Sequence, residues 1–234
     1  MKVRYLIKYS KESEIKFISH LDLMRTIQRI IRRAGIPIEY SKGFNPHMAI
    51  SIAQPLSVGV YSIGEYMDIV LKEDIDTEVI LNKLNENSPS GVRFIDVTKV
   101  EKNDNSKAPQ AMAIIDGARY LMKFRSTNNQ RSLNSLEELH AMPQWNIVKK
   151  SKSGEKEVDI KPLIKEFRLI SDKDTLEFET LVACGSRENL SASLLGDFIK
   201  ENVEAIDKDA FIDIERIDMY AYKGNALVPL NKFF

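Results

Sequence analysis

Apolar and polar positions alternate from the start of the chain. In Val3-Arg-Tyr-Leu-Ile-Lys-Tyr-Ser10 the residues Val3, Tyr5, Ile7 and Tyr9 share one face, the period of a half-buried strand. A near copy stands at Ala118-Arg-Tyr-Leu-Met-Lys-Phe-Arg125: four of the eight positions are identical, and three others exchange one apolar residue for another. The period then changes. Leu23, Ile27, Ile30, Ile31 and Ala34 form one helical stripe behind the capping box Ser19-His-Leu-Asp22, and Gly35 with Pro37 stops the helix. Residues 36–40 and 48–52 read as strands around the loop Ser41-Lys-Gly-Phe-Asn-Pro-His47, and 65–71 continues as strand. A second helix over 76–85 turns Val79, Ile80 and Leu84 inward, and residues 92–100 close the series as a strand.

The second copy predicts the same succession. Residues 119–125 are a strand and 133–142 a helix; strands follow at 145–149 and 176–184, with Val158-Asp-Ile-Lys-Pro162 an extended piece between them. A helix over 190–203 and a strand over 211–222 complete it. The expected fold is therefore α+β: duplicated ferredoxin-like (β-α-β-β-α-β) halves, each an antiparallel sheet covered by helices. The expected domains are 1–104 and 118–234, joined by a polar linker over 105–117.

With 43% apolar and 29% charged residues the chain has a globular composition. The start has no apolar segment of the signal-peptide kind and no run approaches a membrane span, so no membrane contact and a cytoplasmic location are expected. Cys184 is the only cysteine, beside His20, His47 and His140. That set cannot make a disulfide, a four-cysteine zinc site or a cysteine-held iron–sulfur cluster, so no metal and no cofactor are expected in this chain. A Walker loop, a dinucleotide fingerprint and a nucleophile elbow are absent, which argues against a self-sufficient redox or nucleotide-hydrolysing enzyme.

Formal charge is zero, 34 basic against 34 acidic residues, yet it is segregated. Arg25, Arg29 and Arg32 stand at i, i+4 and i+7 on the first helix, with Arg33 one turn beyond Arg29, opposite the apolar stripe. Lys42 follows in the loop, and only Asp22 and Glu39 oppose these charges, a local excess of three. A solvated helix face explains such a pattern; so does a phosphate-binding surface, for which clustered guanidinium groups are well shaped. Tyr40, Phe44 and His47 add flat side chains able to stack on unpaired bases. The expected RNA-binding residues are Arg25, Arg29, Arg32, Arg33, Tyr40, Lys42, Phe44 and His47. Residues 197–218 are by contrast rich in acids and offer a docking face for a basic partner.

The catalytic candidates are His20, Asp22 and His47. His20 and Asp22 flank a helix N-terminus, where capping alone accounts for Asp22. Acid–base work by His20, Asp22 and His47 requires the two histidines to meet in space. Cys184 reads as a small buried hydrophobe, and Lys152, Lys156 and Lys161 around Gly154 as a hairpin of alternating charge.

Phe17-Ile-Ser-His-Leu-Asp-Leu-Met-Arg25, Arg29, Arg32-Arg-Ala-Gly-Ile-Pro37, Tyr40-Ser-Lys-Gly-Phe-Asn-Pro-His47 and Gly64-Glu-Tyr-Met-Asp68, with Val158-Asp-Ile-Lys-Pro162 in the second half, resemble the radical SAM-linked family, whose function is unassigned. Its members stand alone or fused behind a radical SAM enzyme with a cobalamin-binding domain. The resemblance implies a partner enzyme carrying an iron–sulfur cluster, S-adenosylmethionine and, in the fused forms, cobalamin. Met48-Ala49 departs from the proline and basic residue common there, which removes one phosphate contact from the loop. The family supplies no catalytic residues. The expectation is an RNA-binding accessory that presents structured RNA, tRNA or rRNA, to a radical SAM modifying enzyme. The alternatives are a catalytic subunit acting on a nucleotide or RNA base, and a protein–protein adaptor.

Overall fold

A computed structural model describes residues 2–101, 108–151, 154–171 and 175–234. In chain order the elements are β1 (Val3–Lys11), α1 (His20–Arg33), β2 (Ile50–Ile52), β3 (Tyr61–Leu71), α2 (Thr77–Glu86), β4 (Phe94–Val100) and α3 (Ala111–Ile114). Then come β5 (Gly117–Phe124), α4 (Asn129–Ala141), β6 (Asn146–Ser151), β7 (Gly154–Asp159), β8 (Ile164–Ser171) and β9 (Leu176–Ala183). The last are α5 (Ala192–Asn202), β10 (Asp213–Lys223), β11 (Ala226–Pro229) and α6 (Leu230–Phe233). The fold is mixed α+β and mostly antiparallel. The chain separates into two compact units, residues 1–116 with 216–234, and residues 117–215.

In the first unit β1 runs antiparallel between β4 and β3, with Tyr5 opposite Ile69 and Lys99. The outer edge of β3 is shared. Its end pairs with β2, from Ile50↔Ile69 to Ile52↔Met67, and its start lies beside β10. Val3, Tyr5, Ile7 and Tyr9 face α1 and α2 and are all buried, as their period demands; so are Leu23, Ile27, Ile30, Ile31 and Ala34 of the predicted helical stripe. Each of the buried valine, leucine and isoleucine side chains contributes about 1.5–3 kcal/mol through the hydrophobic effect.

Residues 216–234, expected with the second half, pack here instead. Gly64 explains how. A Cβ on it would stand 2.3 Å from the Ile217 carbonyl oxygen, so only glycine lets β3 and β10 approach this closely. The next residue, Glu65, holds Arg216 Nη1 at 2.9 and 3.1 Å, an ion pair sealed from water. Tyr66 donates to Asp218 at 2.7 Å, and Asp218 also takes Lys8 at 2.7 Å. Asp68 accepts from the Ala111 amide at 2.8 Å. Of the linker expected over 105–117, residues 105–107 lie outside the described residues; farther on, Ala111 is buried at the head of α3.

One buried lysine ties the approach to α1. Lys11 Nζ donates to the carbonyls of Lys16 (2.8 Å), Ile18 (3.3 Å) and Val60 (3.2 Å), joining the segment that enters α1 to the one that enters β3. Burial pushes its pKa down, and the carbonyl cage supplies the acceptors that water would otherwise give.

In the second unit the strand order is β5-β9-β8, antiparallel throughout. Phe124, Phe178, Phe167, Trp145 and Phe198 follow one another in ring contact, neighbouring centroids 4.6–6.3 Å apart, stacked except where Trp145 meets Phe167 edge-on. Strand β8 was not expected, and its register explains why: shifts between Ile164 and Glu166 and between Leu169 and Ser171 break the alternation a reader would look for. Helix α4 starts four residues before the expected 133, because Asn128 caps it by accepting from the Arg131 amide at 3.1 Å. The β6–β7 hairpin spans Gly154 with Lys149 opposite Lys156; Lys152 lies outside the described residues. Cys184 is buried.

Candidate nucleic-acid interface

The stretches that carry the family resemblance divide into two kinds. Gly64-Glu-Tyr-Met-Asp68 is absorbed by the first unit's interior: Gly64, Glu65, Tyr66 and Asp68 through the contacts above, and Met67 by full burial. Val158-Asp-Ile-Lys-Pro162 is absorbed by the second. Asp159 accepts from the Trp145 and Lys161 amides at 2.8 and 3.0 Å, and Ile160 is fully buried. Lys161 Nζ donates to the carbonyls of His140, at 2.6 Å, and Met142, closing the C-terminus of α4. Packing accounts for both motifs. It does not account for much of 17–47.

Helix α1 begins as the capping box predicts. Ser19 accepts from the Asp22 amide at 3.2 Å and donates to the Asp22 carboxylate at 2.7 Å. That carboxylate also takes Arg25 Nη1 at 3.0 Å. The Ser19 hydroxyl first and Arg25 second hold Asp22 below the usual carboxylate range, so it stays ionised and is ill suited to passing protons near neutrality.

The four arginines are all exposed but not equivalent. Arg25 is paired with Asp22, and Arg33 Nη2 donates to the Asn87 carbonyl at 2.6 Å, binding the last turn of α1 to that of α2. Arg29 and Arg32 have no hydrogen bond or ion pair among the described residues. Leu21 is 64% exposed and stands one turn before Arg25, so the outer ridge reads Leu21, Arg25, Arg29, Arg32. Sequence reasoning passed over Leu21, although its spacing placed it there.

After α1 the chain makes a bridge, Ile38↔Leu71, and then a hairpin. Tyr40 pairs with Met48, the Ser41 amide donates to the His47 carbonyl at 2.8 Å, and the His47 amide donates to the Ser41 hydroxyl at 2.9 Å. Met48, buried, anchors the base. Gly43, at φ +128°, lies in the region that favours glycine and lets the tip turn, leaving Phe44 fully exposed. Tyr40, Lys42 and His47 are exposed too. At the base Glu39 takes Lys2 at 2.7 Å and lies in the field of Lys72 and Lys42; the Lys2 bond is the first cause holding its carboxyl below the usual range. Lys2 and Lys72 therefore join Lys42, a grouping that only the strand pairing reveals.

His20 and His47 share no contact among the described residues. His20 opens α1 two residues after Ile18, whose carbonyl Lys11 Nζ holds, and Lys11 pairs with Ser62 at the start of β3; the hairpin of His47 is rooted where Glu39 meets Val70 near its end. Eight residues of strand, about 26 Å, separate those roots. No group of three or more His, Cys, Asp or Glu side chains among the described residues is arranged to hold a metal ion. The acid-rich stretch 197–218 is divided between the two units, and Glu204 and Asp207 are paired with Arg131 and Arg125 at 2.5 and 3.9 Å.

A family profile described as "Uncharacterized protein conserved in bacteria (DUF2344)" matches residues 4–192. The chain belongs to this family. The DUF2344 match takes in α1 and the hairpin and ends at the first residue of α5. No curated protein matches the sequence significantly. Among solved structures, the chain is similar to one in the "Crystal Structure of a Cbf5-Nop10-Gar1 Complex", at 9% identity and a TM-score of 0.47, over 92% of this chain and 48% of that one. It is also similar to one in the "Structure of H/ACA RNP bound to a substrate RNA containing 2'-deoxyuridine", at 9% identity and 0.43, over 91% and 46%. It thus spans about half the length of these two. An unknown protein from Galdieria sulphuraria aligns at 11% identity and a TM-score of 0.27, over 92% of this chain and 99% of that one.

Proposed function

We propose that this DUF2344 protein is an RNA-binding accessory that presents a structured RNA, tRNA or ribosomal RNA, to a partner radical SAM enzyme in the cytoplasm. The observation that carries the RNA reading is the unengaged pair Arg29 and Arg32 on the outer ridge of α1. Two exposed guanidinium groups one turn apart, with no acid paired to either among the described residues, are shaped for bidentate phosphate contacts. The carboxylates nearby are already taken, Asp22 by Arg25 and Glu39 by Lys2, so the ridge keeps its positive sign. The partner enzyme, with its iron–sulfur cluster, S-adenosylmethionine and, as in the fused forms, cobalamin, rests only on the family resemblance of residues 17–68 and 158–162. We further read each half as ferredoxin-like, from the strand orders β4-β1-β3-β2 and β5-β9-β8 around two helices each.

The test is binding of total cellular RNA across a salt series, wild type against Arg29→Ala/Arg32→Ala. Removing two phosphate contacts is expected to weaken binding alike across sequences and to reduce the slope of log K against log salt by roughly 1.4–1.8. Binding unchanged in slope and strength would remove this surface from the function. No binding by the wild type would favour the adaptor reading.

A further inference from the structure

We infer that the RNA carried on α1 is unpaired where it crosses the hairpin, with a base stacked on Phe44 while its phosphates lie on Arg29 and Arg32. The inference rests on the RNA reading above and adds the class of RNA recognised. Scattered exposed apolar residues are ordinary on protein surfaces, so exposure alone assigns nothing to Phe44. Three further features do.

First, the hairpin holds its tip out. The Ser41–His47 exchange, the Tyr40–Met48 bridge and the buried Met48 fix its base, so Phe44 is displayed from an anchored loop. Second, Tyr40 lies six Cα steps beyond Ala34, the C-cap of α1, and the first of the five intervening residues fold back through the Ile36 amide, which donates to the Ile31 carbonyl at 3.3 Å. The hairpin base is thereby kept within about 20 Å of the turn that carries Arg32, the reach of six extended residues. Third, the ring is unoccupied. Phe17, exposed at the other end of the ridge, has the Lys16 ammonium 5.6 Å from its centroid, whereas Phe44 has no ring or cation contact among the described residues.

Chemistry then selects the strand state. Double-stranded RNA is held through phosphates and 2′-hydroxyls and leaves a protruding ring idle. Unpaired bases stack on aromatic side chains whatever their identity. Arginines on a helix joined by a short connection to a hairpin that displays an open phenyl ring suit the second case.

The test uses the full chain and two probes, a short oligouridine and an RNA duplex of equal length, with wild type, Phe44→Ala and Arg29→Ala/Arg32→Ala. The expected result is tighter binding of oligouridine than duplex, a roughly five- to hundredfold loss for Phe44→Ala on oligouridine alone, and an unchanged salt slope in that variant. Being fully exposed, Phe44 can be truncated without loss of packing. Equal affinity for the two probes, or no effect of Phe44→Ala while the arginine variant loses binding, would overturn the unpaired-strand inference and leave RNA binding standing. No binding of either probe or of cellular RNA by the wild type would overturn both.

Discussion

At the scale of single residues, position in the fold separates side chains that look alike in the sequence. Arg25, Arg29, Arg32 and Arg33 lie within nine residues on one helix, yet two are engaged by Asp22 and Asn87 and two are not. The exposed Arg25–Asp22 pair adds little stability, since solvent screens it; its consequence is that it removes one arginine and the nearest acid from the ridge. Gly64 shows the opposite extreme. Its Gly64→Ala variant is expected to lose at least about 2 kcal/mol in chemical denaturation, because the added carbon meets backbone atoms that cannot rotate away. A variant as stable as wild type would mean that β3 and β10 are spaced more widely than described.

At the scale of elements, α1 was the most legible part of the molecule. Its cap, its buried stripe and its stop signal all lie in adjacent residues, and local hydrogen bonds and burial follow from that order. Ser19→Ala removes the oxygen that accepts the Asp22 amide, and denaturation should record a loss of about 1 kcal/mol. No loss would place the start of α1 elsewhere. The hairpin over 40–48 was half legible: Gly43 and Asn45-Pro46 announced a turn, while the exposure of Phe44 and the burial of Met48 depended on which strand the hairpin leaves. Strand β8 was not legible, because register shifts hide its period. The Val158–Pro162 stretch drew notice as a motif, and only its contacts with Trp145, His140 and Met142 reveal a structural duty.

At the scale of the whole molecule, the chain returns to its first unit after leaving its second. Arg216 reaches Glu65 across 151 positions of sequence, and both are almost wholly buried. Taking away one member of such a pair leaves an uncompensated charge in the interior. Arg216→Met is accordingly expected to cost about 3–5 kcal/mol of unfolding free energy, and Glu65→Gln/Arg216→Met distinctly less, since the double variant strands no charge. Equal losses in the two variants would mean that water reaches Glu65.

The sequence by itself determined what depends on near neighbours: the α+β character, the repeated strand start, the boundaries of α1 and the basic sign of its outer ridge. These follow from period, capping and helical spacing, which act over one or two turns. Tertiary structure decided what depends on distant partners. It assigned residues 216–234 to the first unit, turned Gly64-Glu-Tyr-Met-Asp68 into a packing device, and tied the approach to His20 and the hairpin of His47 to opposite ends of β3. It also left Arg29 and Arg32 without a hydrogen bond or ion pair among the described residues while occupying Arg25 and Arg33. Whether a charged side chain is satisfied depends on what the rest of the chain brings beside it, and that is set by strand register and close packing across more than a hundred residues.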